Sequence, residues 1–353
     1  MDTRGAFRLP ETVYLDTATW GLPPAACADA MRAALDAQQA GRARWVEDWD
    51  RPAESCRTDF ASLIGAAASD VALLPASSVG VGLVAERLRP GDDVVVPADE
   101  YTSVLFPLLV AARAGVRVRQ VAFDELADEV RRGTRLVAFS LVQMQTGKVA
   151  PVASILDAAE AAGAEVLVDA TQALPFVDVP AARVHYLVCS AYKHLLSPRG
   201  VAFLYVRADR HDALEPWNAN WRAADDPYGR YFGGPLTLRS GAARFDVSLA
   251  WLPWIGARES LRLLAGWKRD GTLAEPLALA RALARETGIA PAGATLVCVP
   301  VAEAVRAGEA LEAAGIRASV RGTSVRFAPH VYNDASDVHR AAEALRAVAA
   351  VHA

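Results

Sequence analysis

The sequence predicts an α/β fold with a mostly parallel central sheet, helices on both of its faces, and a smaller C-terminal α+β unit. Two patterns carry that reading. Short apolar, β-rich runs recur between helix-like stretches of Ala, Leu, Glu and Arg. Runs such as Val166-Leu167-Val168 and Tyr186-Leu187-Val188-Cys189 are nearly continuous in apolar residues, as in strands with neither face open to water. The strands are expected at residues 71–75, 93–97, 116–121, 136–142, 165–169, 186–190 and 201–206. Residues 209–235, rich in Trp, Asn, Gly and Pro, read as a loop region over a site. A helix is expected at 252–274, strands at 295–300, 317–321 and 324–328, and a terminal helix at 334–351. The expected division is an N-terminal segment 1–20, a large α/β domain 21–255 and a small α+β domain 256–353.

Composition narrows the function. With 353 residues and 53% hydrophobic content the chain can bury a large core. A net charge of −4 and no cluster of Lys or Arg argue against a nucleic-acid partner. The opening Met-Asp-Thr-Arg-Gly-Ala-Phe carries no apolar signal segment, and the run 104–112 is short and broken by Pro107, so no membrane span and a soluble cytoplasmic protein are expected. Cys27, Cys56, Cys189 and Cys298 lie far apart without ligand spacing. The expectation is reduced thiols and no metal site.

The residues richest in chemistry follow two neighbouring strands: Asp169-Ala-Thr-Gln172 after one, Ser190-Ala-Tyr192-Lys193 after the next. In an open α/β sheet the carboxyl ends of strands face the ligand crevice. A lysine just past a buried strand end loses hydration, which lowers its pKa and frees the neutral amine that an aldehyde needs. Asp169 would stabilise a cation, with its own pKa depressed by that charge. The segment Pro75-Ala-Ser77-Ser78-Val79-Gly80 follows a strand and opens an apolar helix, where amides and hydroxyls can hold a phosphate. Tyr101 sits past another strand end, placed to pack an aromatic face.

These motifs together resemble the class V aminotransferase and cysteine desulfurase group of fold-type I pyridoxal-phosphate enzymes. That family reads Asp-x-x-Gln and then Ser-x-His-Lys, and Asp169, Gln172, Ser190 and Lys193 occupy those places, the resemblance running from Tyr14 to the last helix. It implies pyridoxal 5′-phosphate held as a Schiff base on Lys193, with Asp169 at the ring nitrogen. It assigns the ring face to Tyr101, further cofactor contacts to Ser77, Ser78, Val79, Gln172, Ser190 and Tyr192, and the substrate carboxylate to Arg326, with Arg321 beside it. His330 has a structural reading. Three departures stand out: Tyr192 where the family has His, as in kynureninases; Met144 where desulfurases carry Asn; and Ser248-Leu249 where Gly-Thr of a neighbouring subunit meets the phosphate. Desulfurases also use a cysteine nucleophile, and none occurs between Arg317 and Arg326. The resemblance therefore implies a homodimer with a shared active site that acts at the α-carbon of an amino acid. The leading expectation is a carbon–sulfur β-elimination lyase on an S-substituted cysteine; the alternatives are a class V aminotransferase, a kynureninase-like hydrolase and a non-catalytic pyridoxal-phosphate-binding protein.

Overall fold

A computed structural model describes residues 3–350. In chain order the elements are β1 (Val13–Tyr14), α1 (Ala25–Gln39), α2 (Glu54–Ile64), β2 (Val71–Leu74), α3 (Ser77–Glu86), β3 (Asp93–Pro97), α4 (Thr102–Ala112), β4 (Arg117–Val121), α5 (Leu126–Glu129), β5 (Thr134–Ser140), α6 (Val152–Ala162), β6 (Glu165–Asp169), β7 (Tyr186–Ser190) and β8 (Ala202–Val206). There follow α7 (Trp251–Arg269), α8 (Ala274–Glu286), β9 (Val297–Pro300), α9 (Ala304–Ala313), β10 (Ile316–Arg317), β11 (Ser319–Arg321), β12 (Ser324–Phe327) and α10 (Ala335–Ala350).

The central sheet has seven strands in the order β2-β8-β7-β6-β5-β3-β4. Six of the strands run the same way and β8, between β2 and β7, runs opposite to them. Successive side chains of a strand point to opposite faces, so the continuous apolar runs feed two cores. Leu73, Val95, Val137, Val166, Val168 and Leu187 pack on one face with α2, α6 and α7. Leu74, Val94, Val96, Leu136, Leu167 and Val188 pack on the other with α3 and α4. This is the mostly parallel, doubly covered sheet that the sequence predicts. At its edge β4 is partly exposed, and Arg119 pairs with Asp93 at 3.0 Å, a charged edge that resists pairing with another chain. The C-terminal unit is a small antiparallel sheet, β11-β12-β9, packed on α8, α9 and α10.

Three elements differ from the sequence reading. The helix expected at 252–274 is α7 and ends at Arg269, with Gly271 in the left-handed region at φ +80° just beyond it; a further helix, α8, which the sequence reading did not include, then begins at Ala274. The strand expected at 317–321 changes partner midway: β10 pairs in parallel with β1, while β11 pairs with β12. The polar stretch 209–235 is not merely a cover. Arg222 on it is 1% exposed and pairs with Asp50 and, at 2.6 Å, with Glu54. Beside them Arg57 pairs with Asp246 at 2.6 Å, and Asp246 accepts the Leu73 amide on β2 at 2.9 Å. The loop is thereby fastened to the strand that leads into α3. No helix among the described residues is long and apolar enough to cross a membrane.

Removing one partner from a buried ion-pair network leaves the others desolvated and uncompensated, a cost of about 3–5 kcal/mol. Asp246→Ala is therefore expected to lower the unfolding free energy by about that amount in urea titration. A loss below ~1 kcal/mol would show that the network does not hold the loop.

Candidate active site

The sheet brings Asp169 and Ser190 together because β6 and β7 are hydrogen-bonded neighbours. Both residues close their strands, at the carboxyl edge where α/β sheets bind ligands. Asp169, 3% exposed, accepts the Thr171 amide at 2.8 Å, and the Thr171 hydroxyl accepts the Ser190 amide at 3.0 Å. Just beyond, Lys193 is 5% exposed. Its Nζ lies 5.3 Å from the Tyr101 ring centre and 5.8 Å from that of Tyr192. No ion pair joins Lys193 to Asp169 among the described residues.

Burial sets the protonation of both groups. Desolvation pulls the Lys193 amine down to about 8, opposed by Asp169 and reinforced by Arg326 and Arg321. This is the direction the sequence predicts. In the protein alone the Asp169 pKa is raised, because desolvation outweighs the hydrogen bonds from Thr171 and the charge of Lys193. A depressed value requires a cation closer than that lysine.

The lysine loop has little freedom. Leu196 adopts φ +52°, uncommon for a side chain of its size; its amide donates to the Lys193 carbonyl at 3.0 Å and its own carbonyl accepts the Ser260 hydroxyl of α7 at 2.9 Å. On the other side Gly21 donates its amide to Tyr192 at 2.9 Å, and a Cβ at Gly21 would stand 2.2 Å from the Lys193 carbonyl. Only glycine permits this approach.

At the start of α3 the N-cap residue is Ala76, which offers no side-chain cap. The buried Ser77 hydroxyl meets that of Ser190 at 2.7 Å, so two hydroxyls from different elements converge on the helix end. Ser78 and Val79 are half-buried there, and the Val79 amide turns back to Ala76 at 3.1 Å. Tyr192 is half-buried and lies beneath Arg199, whose guanidinium carbon is 5.1 Å from its ring centre. Gln172 is nearer the lysine loop than open space: its amide nitrogen donates to Ala18 at 3.1 Å and its oxygen lies 2.9 Å from His194 Nε2. His330 accepts the Val331 amide at Nδ1, which leaves Nε2 to donate to the His194 carbonyl at 3.0 Å. Burial holds its pKa down at about 3, in keeping with the structural reading.

Arg326, on β12, is 1% exposed. It donates to the Thr19 hydroxyl at 2.8 Å and to the Met144 carbonyl at 3.3 Å, while its Nε is buried with no partner. Arg321 is exposed and reaches the same hydroxyl at 3.4 Å. The residue at which Met144 replaces the expected Asn thus contributes its carbonyl to the arginine.

Sequence reasoning missed three contributors. Thr19 is where both arginines meet. Asp16, 3.8 Å from Arg326, accepts the hydroxyls of Thr19 and Ser319 at 2.7 Å each. Glu100, 7% exposed, accepts the Tyr101 amide at 2.7 Å and both the amide and the hydroxyl of Ser140 on β5. Burial pushes its carboxyl up to about 7, against hydrogen bonds from Ser140 and Tyr101. Its position immediately before Tyr101 was the available signal.

A buried amine with no ion pair among the described residues, a buried carboxylate near it and a hydroxyl-lined helix start fit one kind of guest. That guest is a cationic aromatic ring bearing an aldehyde and an anionic tail, which describes pyridoxal phosphate. No group of side chains suited to a metal ion occurs among the described residues.

Comparison with known proteins agrees. The aminotransferase class-V family profile matches residues 13–285. Isopenicillin N epimerase of Streptomyces clavuligerus is 31% identical over 58% of this chain and 56% of its own length. A cysteine desulfurase of Dickeya dadantii is 31% identical over 70% of this chain and 69% of its own. The chain spans about half the length of several of the relatives it matches. In solved structures, the complex between the cystine C–S lyase C-DES and its reaction product cysteine persulfide superposes with a TM-score of 0.82, covering 96% of this chain and 98% of that one at 20% identity, a likeness of fold. The chain belongs to the class V aminotransferase family of pyridoxal-phosphate-dependent enzymes.

Proposed function

We propose that the chain acts at the α-carbon of an amino acid and cleaves the carbon–sulfur bond of an S-substituted cysteine by β-elimination. The observation that carries the first half is Lys193: a buried amine, without an ion pair, opposite a buried carboxylate. Bound pyridoxal phosphate supplies the electron sink that makes an α-proton removable. The residues of this chain do the rest. Lys193 holds the cofactor and, as general base, takes the α-proton; a pKa of about 8 suits that task near neutral pH. Asp169 pairs with the ring nitrogen, Tyr101 packs the ring face, and Ser77, Ser78 and Ser190 with the first amides of α3 hold the phosphate. Arg326 orients the α-carboxylate, for which its planar fork is suited.

The second half rests on the relatives and on the thiols. Several relatives are cysteine desulfurases, and the C-DES structure is that of a cystine C–S lyase. Persulfide chemistry needs a reactive thiolate. Cys298 stands opposite Arg326 on the neighbouring strand, but burial raises its thiol to about 11 despite that arginine. Thiolate is therefore scarce at neutral pH. Elimination, which needs no protein thiol, fits this site better.

Purified protein loaded with pyridoxal phosphate and given S-methyl-L-cysteine is expected to release pyruvate and ammonia without an added keto acid. Conversion to a pyridoxamine form without pyruvate would assign transamination instead. Uptake of pyridoxal phosphate by the cofactor-free protein should quicken as pH rises through about 8, where Lys193 loses its proton. Borohydride should then fix the label on Lys193 alone, and Lys193→Ala should lose it; a label elsewhere would refute the site. Arg326→Gln should raise KM for the amino acid about 10- to 100-fold, the worth of a hydrogen-bonded charge pair, with a smaller effect on cofactor uptake.

A further inference from the structure

A cleft of about 830 Å³ opens beside Lys193, between α1 and the lysine loop. It lies within the size range of small-molecule sites. Its walls are largely apolar, with Trp20, Met31, Leu35 and Leu252 among them. It adjoins the site already described and shares two walls with it: Thr19, which receives Arg326 and Arg321, and Tyr192, whose ring is 5.8 Å from Lys193 Nζ.

The charge in this cleft is one-sided. Among the described residues no carboxylate lines it, and two arginines do. Arg32 is compensated by Asp29 at 3.0 Å. Arg199 has no carboxylate partner among the described residues and rests on the Tyr192 ring at 5.1 Å. Lys193 and Arg199 therefore both approach the same aromatic ring. Their cationic ends are no farther apart than the sum of their two distances to its centre.

We propose that this cleft receives the β-substituent of the amino-acid substrate and that Arg199 pairs with an acidic group at its far end. The proposal rests on the reading of the site as one for β-substituted amino acids and names the substrate class: a side chain apolar in its middle and anionic at its tip, with the α-carboxylate on Arg326. That upper bound on the Lys193–Arg199 separation limits the substituent to a short acid-ended chain on cysteine. An arginine resting on an aromatic face is already oriented, so less freedom is lost when a carboxylate docks.

The test uses protein loaded with pyridoxal phosphate and two probes, S-(3-carboxypropyl)-L-cysteine and S-butyl-L-cysteine. Binding of each is followed through the change in cofactor absorbance. The acid-ended probe is expected to bind about tenfold more tightly, the preference falling as salt is added. Arg199→Gln should bring the ratio near one, and Arg199→Lys should keep part of it. Equal binding by the unaltered protein, or a preference that survives Arg199→Gln, overturns the proposal. So does a cleft covered by a second copy of the chain, which would show as a changed mass in sedimentation for Arg199→Gln with the ratio intact. Preferential binding without pyruvate from either probe would sink the elimination reading alone and leave the cleft assignment standing.

Discussion

An amine and a carboxylate are buried in one crevice with no ion pair between them among the described residues. The rest of the site is arranged around these two groups. Asp169 already raises the lysine at a distance, and an ion pair would raise it further and spend both charges. Asp169 ends β6 and is tied to the turn behind it by the Thr171 amide, while Lys193 stands beyond the end of β7 on a loop pinned by Ser260 and Gly21. Two rigid neighbouring strands fix the positions, and burial does the rest, lowering one group and raising the other. The unspent charges are what a bound ring would use.

The short segment from Tyr14 to Gly21 is the joint between the two halves of the molecule. Its strand β1 pairs with β10 of the small unit. The Thr17 hydroxyl meets that of Tyr332, the Ala18 carbonyl takes the Gln172 amide, Thr19 takes both arginines, and Gly21 lies against the lysine loop. Within this stretch the small unit, the end of the large sheet and the lysine loop share one backbone. Arg326 is held there by a hydroxyl and a carbonyl, with Asp16 at 3.8 Å. Neutral acceptors bind a guanidinium less strongly than a carboxylate does. The arginine is thus held in place, and a substrate carboxylate has something to offer it.

Much of this was legible in the residues. Apolar runs without alternation declared a sheet covered on both faces, and Asp169, Ser190 and Lys193 could be placed at its carboxyl edge because ends of strands are readable as the points where apolar runs stop. Arg326 and Arg321 could be grouped by motif, yet not their meeting at Thr19, since that contact joins residues about as far apart in the chain as it allows. Gln172 was read as a cofactor contact from its place in the motif; the use of its amide by Ala18 and His194 follows from tertiary packing alone. Glu100 was given no role in the sequence reading. Its burial depends on the closeness of β3 and β5, which pattern does not give. The loop 209–235 was read as a cover from its polarity; its packing comes from long-range partners that pattern does not give, Arg222 on Asp50 and Glu54, Tyr228 on Asp50 and Trp221 on Trp45.

The charge balance of the cleft also bears on selectivity. Around the lysine stand Arg326 and Arg321, with Arg199 farther along the Tyr192 face, and the acids that answer them are partly committed elsewhere: Asp16 to two hydroxyls, Asp169 to Thr171, Glu100 to Ser140 and Tyr101. Burial raises the Glu100 carboxyl to about 7, so that it carries only part of a negative charge near neutral pH. Three arginines thus stand near the site of a chain whose net charge is −4. Cations so placed favour the approach of an anionic group and discriminate by charge. An amino acid with a cationic side chain meets repulsion from the same groups that would hold its carboxylate, which makes the arginines selective through what they exclude as well as through what they bind.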